Sequence, residues 1–399
     1  EFYTALLHRH KDTIQSGDRA VLHKEIDNLR AAWMRAVNQR YIDALKRTAS
    51  SLHWLYETLG WQAEGQAMFL MAEEAVAEMP ETDERRYVLT MLRLRRCFFQ
   101  AIYPNVSKQL RDDIASTLVL LDGLEEQHVT GELITIAILT LLRNKGDSEK
   151  ITAFAHKGMI LSQNANDQYG IAISLITLAV MAFSIQGEFA QAEEYTNDAL
   201  EIDQKIGFYI NSRWGKRLLG NIYSLRGQYL KAKGLNEACI ADHMAGDIQQ
   251  NLEYAYFLLG NASLELGDYP TAQLHFEDCT KSASKLRRHG WIVQGRIGLG
   301  LIDIYQGNID RAEHCLDDAY DYLQSVGING PINHAEIDAF GILMLLLGNL
   351  RQALEYYETI LSNYGIDYRV LHMVCQCRMG QAYFGLDEHS RAITNLFNG

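Results

Sequence analysis

The sequence predicts an all-α superhelical solenoid of about nine helical hairpins with a ~40-residue period. Three observations predict it. A glycine followed five positions later by alanine recurs as Gly187 and Ala192, Gly227 and Ala232, Gly267 and Ala272, Gly307 and Ala312, and Gly348 and Ala353, at spacings of 40, 40, 40 and 41 residues. A second glycine stands seven residues before the turn, at Gly220, Gly260, Gly300 and Gly341. Only four prolines, Pro80, Pro104, Pro270 and Pro331, occur in 399 residues. Each falls at an expected turn, link or first helical turn, because proline lacks the amide donor of a helix interior.

Taken in order, residues 1–40 differ from the rest and are read as junction or capping helices, with the repeat array over 41–399. Projecting the period toward the N-terminus places turns at Gly60, at Tyr103-Pro104-Asn105 and at Gly146, where Gly65 and Ile151 replace the alanine at two of the three. From Gly187 onward each unit reads as an apolar-periodic helix, a tight turn such as Leu266-Gly267-Asp268-Tyr269 or Leu347-Gly348-Asn349-Leu350, and a second helix carrying the alanine. Glycine reaches a turn conformation that side chains resist, and alanine lets two helices approach. A glycine inside a helix costs about 1 kcal/mol relative to alanine, so its return at one phase predicts close packing there. In the last unit Asp387 replaces the turn glycine, with Gly380 and Ala392 in register.

Composition excludes several function classes. A net charge of -13 argues against direct nucleic-acid binding, which needs a basic surface. The longest apolar stretches, around Leu133 to Leu142 and Ile342 to Leu347, are too short to cross a bilayer, so no membrane association is expected. The chain opens at Glu1-Phe2-Tyr3 without a methionine or targeting segment, which predicts a piece cut from a larger protein. Six cysteines, Cys97, Cys239, Cys279, Cys315, Cys375 and Cys377, form no regular framework and point to a reducing cytoplasm. Cys375 and Cys377 diverge on a helix, so neither metal nor cofactor is expected.

Catalysis is not expected either. His8, His10, His53, His156, His243, His275, His314, His334 and His372 are scattered without a ligand spacing. The acidic pairs Glu73-Glu74, Glu193-Glu194 and Asp317-Asp318 are consecutive on helices and point about 100° apart, as on a solvated face. No nucleophile elbow occurs, and Gly215-Lys216-Arg217 lies in a helix where no phosphate loop would form.

The units resemble the tetratricopeptide repeat. Leu218-Leu219-Gly220-Asn221-Ile222-Tyr223 with Arg226-Gly227-Gln228-Tyr229, and Leu258-Leu259-Gly260-Asn261 with Leu266-Gly267-Asp268-Tyr269, Ala272 and Phe276, carry the likeness. The common repeat has about 34 residues, so each unit here is about six longer. A second resemblance lies in Leu22-His23-Lys24-Glu25-Ile26-Asp27-Asn28-Leu29-Arg30-Ala31-Ala32-Trp33 and in Leu52-His53-Trp54-Leu55-Tyr56-Glu57-Thr58-Leu59-Gly60. These are similar to the segment that joins the ATPase and winged-helix module to the repeats in bacterial STAND-type signal-transduction ATPases, a family that includes the maltose-regulon activator. That resemblance implies a sensor and autoinhibitory arm that binds an inducer or protein signal and docks on a missing N-terminal ATPase module. A stand-alone protein-protein scaffold and a small-molecule inducer receptor remain as alternatives.

Stacked hairpins line their groove with first helices, at positions thirteen, ten, six and three before the turn glycine. These are Trp214, Arg217, Asn221 and Ser224, then Tyr254, Phe257, Asn261 and Leu264, then Gln294, Ile297, Leu301 and Ile304. The candidate ligand or peptide site is Trp214, Arg217, Asn221, Tyr254, Phe257 and Asn261. A primary amide both donates to and accepts from a peptide backbone, so Asn221 and Asn261 suit an extended peptide. Arg217 beside Trp214 and Tyr254 offers a carboxylate clamp with an aromatic wall.

Overall fold

A computed structural model of the chain describes residues 2–9, 14, 22, 24–100, 108–124, 129–143, 147–245, 251–326, 339–364 and 368–398. Among these residues there is no strand, and the fold is an all-α solenoid of tetratricopeptide-like hairpins. Helices α1 (Phe2–Arg9) and α2 (Ile26–Asn38) precede nine helical pairs among the described residues. These are α3 (Ile42–Leu59) with α4 (Gln62–Ala77), α5 (Asp83–Gln100) with α6 (Lys108–Asp122), and α7 (Gly131–Arg143) with α8 (Ser148–Asn164). Next come α9 (Gln168–Met181) with α10 (Phe189–Ile206), α11 (Tyr209–Leu225) with α12 (Tyr229–Ala245), and α13 (Leu252–Glu265) with α14 (Tyr269–Lys285). The last are α15 (His289–Tyr305) with α16 (Ile309–Ser325), α17 (Ala339–Leu346) with α18 (Leu350–Tyr364), and α19 (Arg369–Gly385) with α20 (His389–Asn398).

The turns take the conformation the glycine ladder predicts. Gly60, Gly187, Gly227, Gly267, Gly307 and Gly348 all have φ between 69° and 81°. Asp387 occupies the same position at φ 60°, a region that aspartate tolerates better than most side chains. A second left-handed series marks the links between hairpins, at Asn166, Gly207 and Arg287. The tripeptide Tyr103-Pro104-Asn105, Gly146, Pro331, His10, His23 and His334 lie outside the described residues.

Packing explains both small-residue series. Ala192, Ala232, Ala272, Ala312, Ala353 and Ala392 are all buried. Gly220, Gly260, Gly300 and Gly380 each lie against a side chain of the second helix. A methyl group on Gly260 would stand 2.7 Å from the Phe276 ring, one on Gly220 2.8 Å from Asn236 Oδ1, and one on Gly380 2.6 Å from Leu396. Phe276 also meets Gly298 of the following helix, where an added methyl group would approach its ring to 2.5 Å. The ring therefore fills a slot that only glycine walls leave open. At the corresponding position of α12 stands Asn236, fully buried, neither amide atom of which has a hydrogen-bond partner among the described residues.

The chain divides into two compact units. The first comprises Glu1–Ala179, Glu194–Gly215 and Met244–Gln250; the second comprises Val180–Glu193, Lys216–His243 and Asn251–Gly399. In the first, α2 packs on α3 and α4, and the Trp33 indole N–H donates to the Met68 carbonyl oxygen at 3.2 Å. Arg30 forks onto Glu64 at 2.5 and 2.7 Å. Buried Arg95 reaches Glu132 at 2.6 Å, and Glu73 binds Arg93 and Arg96 at 2.7 and 2.6 Å. His53 sits in the core with its ring centroid 4.5 Å from Phe98 and 5.0 Å from Phe99.

In the second unit α19 packs against the single π-helical turn Ala182–Gln186, and Arg369 Nη1 donates to the Gln186 carbonyl oxygen at 3.4 Å. One sequence expectation needs correction here. The stretch Gln168–Gln186 is an uncharged helix of 19 residues with mean hydropathy 1.8, long and apolar enough to cross a membrane. Because 67% of it is buried within the structure, it serves as a core helix.

Candidate functional site

The second unit brings together three of the six candidate residues. Arg217 and Asn221 are one turn apart on α11, a spacing that puts both on one face. Tyr254 comes from α13. The Arg217 guanidinium lies over the Tyr254 ring, 4.9 Å from its centroid, and Asn221 Nδ2 donates to the Tyr254 hydroxyl at 2.9 Å. Behind Tyr254 its ring stacks on Trp291, with centroids 4.7 Å apart and planes 28° apart. This aromatic backing holds Tyr254 in one orientation, and Tyr254 in turn holds the two polar side chains of α11.

The other three candidates fall differently. Asn261 is half-buried and makes no hydrogen bond with the described residues, so the two asparagines share a repeat phase but not an environment. Trp214 is half-buried on α11 within the first unit. Phe257 corrects an expectation. It is fully buried, with its ring centroid 5.8 Å from Phe276 and 5.6 Å from Trp291. A position ten before the turn is thus core in this hairpin. The same holds further along, since Gln294, Ile297 and Leu301 are buried, as is Leu264. The rule for groove positions fails there because the long first helices of successive hairpins pack directly on one another, α13 on α15 among them.

Several polar groups around this site are buried in a way that residue type does not announce. Glu253, adjacent to Tyr254, is fully buried; its carboxylate accepts no hydrogen bond among the described residues and lies 3.2 Å from Arg288 Nη1. Burial pushes its carboxyl above the usual range, against the opposing pull of Arg288 and, less, Arg217. Arg288 Nη1 also donates to Asn251 Oδ1 at 2.9 Å, and Asn251 starts α13 in the left-handed conformation at φ 62°. Gln294 is fully buried with neither amide atom partnered, and Asn221 Oδ1 and Arg217 Nε are likewise unpartnered among the described residues. Buried polar atoms without partners are uncommon, and four such side chains on the first helices of three consecutive hairpins are not legible from residue type alone.

Chemically the arrangement gathers donors and acceptors around an aromatic ring, a geometry suited to recognition. Among the described residues no group of three or more His, Cys, Asp or Glu side chains is placed to hold a metal ion. Cys375 is buried and Cys377 half-buried on α19, and burial holds the Cys97 thiol up at about 12.

No protein-family model matches the sequence, and no curated protein matches it. Solved structures do. A Rap protein complexed with competence and sporulation factor aligns over 94% of this chain and 97% of its own, at 15% identity and a TM-score of 0.63. The apo form of the quorum sensor NprR from B. thuringiensis covers 94% of this chain and 99% of its own, at 11% identity and a TM-score of 0.53. NprR in complex with its cognate peptide NprX covers 86% and 98%, at 15% identity and a TM-score of 0.51. These likenesses establish a shared all-helical repeat fold.

Proposed function

We propose that this chain is a regulatory binding protein whose helical repeats capture a peptide or an extended segment of a partner protein, and that it is not an enzyme. One observation carries the reading. Arg217, Asn221 and Tyr254 form a preorganised polar and aromatic constellation in which a buried guanidinium nitrogen and a buried amide oxygen have no partner among the described residues. An extended backbone presents the matching alternation of donors and acceptors. Two structural neighbours were solved with such ligands, competence and sporulation factor and the peptide NprX, which supports the same use of the fold here.

The finer reading is that the array serves as the sensor arm of a STAND-type signalling ATPase, acting in the cytoplasm on transcription or defence. It rests on the resemblance of Leu22 to Trp33 and of Leu52 to Gly60. The same residues also contribute to local packing, since Leu29 and Trp33 are buried and Arg30 pairs with Glu64. A phosphate-loop sequence encoded upstream of Glu1 would support the ATPase context, and its absence there would leave a peptide-binding protein without that module.

The binding test uses a synthetic mixture of heptapeptides randomised at each position, captured on the chain and read by mass spectrometry. Capture that falls about tenfold in the Asn221→Ala, Asn261→Ala double variant, with an unchanged melting temperature, is the expected outcome. A large loss of stability would make the amides structural, and capture of no peptide would overturn the reading.

A further inference from the structure

Position nine after the turn residue shows how far the second helix of each hairpin is covered. In α12, α14, α16 and α18 it holds Asn236, Phe276, Leu316 and Tyr357, each no more than 3% exposed. In α20 it holds Leu396, which rests on Gly380 of α19 and is still 48% exposed. The next position differs more sharply. There the same four helices carry an exposed acid, Glu237, Glu277, Asp317 and Glu358, whereas α20 carries Phe397, 87% exposed.

Each of those four acids stays exposed although another hairpin follows it in the chain. One more hairpin stacked on α20 would by the same register cover Leu396 and leave Phe397 in water. The apolar face is therefore wider than stacking requires. It includes Ile393, one turn before Phe397 on the same side of α20, and runs past the His389 ring to Phe384 of α19, whose ring centroid lies 5.7 Å away. Ile393 and Phe384 are both more than half exposed. A contiguous apolar surface of this kind marks an interaction site.

Charge decides which partner fits. The chain carries a net charge of -13, and the preceding second helices of this unit turn acids outward, so two copies repel each other across those faces. Helix α20 has no acidic residue. Its one arginine, Arg391, is paired with Glu388 at 2.9 Å and lies over the Tyr383 ring. A second copy of the chain meets here an apolar face without net repulsion and identical to its own, which is the requirement of a two-fold interface.

We infer that α20 is a self-association face, through which two copies of this chain pair about a two-fold axis with Ile393, Leu396 and Phe397 of each covering those of the other. Few large side chains on each side make a small interface, so the pair is weak, with a Kd on the order of 10 µM.

Sedimentation velocity of the whole chain from about 1 to 200 µM tests this, because that range brackets such a Kd. The average mass should rise from that of one chain toward that of two and stop there. Phe397→Glu, at an exposed position, should weaken the association more than tenfold at an unchanged melting temperature. Ile393→Asp serves in its place if the first variant melts lower. Leu230→Glu, equally exposed to water on α12, adds the same charge away from this face and should leave the association as it is. A chain that stays single across the range overturns the inference, as does a mass that grows past two copies. Equal association of wild type and Phe397→Glu, or equal loss in Leu230→Glu, does the same.

Discussion

Two aromatic rings show how differently the two units hold their helices together. In the first unit Phe99 of α5 stacks on Phe69 of α4, with centroids 5.8 Å and planes 10° apart, and its ring faces Gly65. The same helix pair is also tied by Glu73, which receives both Arg93 and Arg96. In the second unit Phe276 lies between Gly260 and Gly298, and shape alone sets the distance. The α4 and α5 pair is located by buried charge around an aromatic pair; around Phe276 the helices are located by a ring in a glycine slot. Charge pairing tolerates an irregular repeat, because a long arginine reaches its partner from several positions. A glycine slot works only in strict register, which is why the ladder is regular where the slots are.

The largest expected effect comes from breaking the charged side of this contrast. Glu73→Gln leaves Arg96, which is nearly buried, without its closest carboxylate and should cost about 3 kcal/mol in urea unfolding. A loss below about 1 kcal/mol would mean that Asp113, 3.0 Å from Arg96, suffices and that aromatic packing governs both units. Next comes the slot. Gly260→Leu forces side-chain atoms into the Phe276 ring and should cost about 2 to 3 kcal/mol; unimpaired stability would refute the register assigned to α13 and α14.

The smallest effect is a pH dependence. Tyr223 donates to Glu193 at 2.6 Å, and this bond, with help from Arg226, holds the Glu193 carboxyl below its usual range. A carboxyl depressed in the folded state contributes stability above the unfolded value of 4.5 and loses it as pH falls through the folded value. Wild-type chain should therefore lose more stability on acidification below 4.5 than Glu193→Gln does, in thermal melts across that interval. Parallel melting curves would remove this pair from the forces that hold the second unit.

Much of the fold is legible in the sequence because backbone conformation leaves a residue-level mark. Gly227 and Gly267 announce left-handed turns, and even Asp387 keeps the place of an absent glycine. The links are less legible, since Asn166 and Arg287 adopt the same conformation as Gly207 without looking like it. At the site, Arg217, Asn221 and Tyr254 follow from repeat phase and do meet, because their spacing is local to one helix and its neighbour. Phe257 shares their phase arithmetic and is core, since its accessibility depends on Trp291, a residue 34 positions further along. Glu253 and Gln294 give no signal at all. Burial of a polar side chain is a property of what surrounds it, and nothing at positions 253 or 294 announces it.

The bond from Arg369 to Gln186 spans 183 residues. An open stack of hairpins can gain or lose a member and merely become longer or shorter, and arrays of that kind drift readily in copy number. Here a helix of the final described hairpin rests on the turn that opens the second unit. Insertion or loss of one hairpin between those two points would carry α19 away from its seat. Changes within a hairpin of this stretch leave that seat in place, whereas gain or loss of a whole hairpin must re-make it.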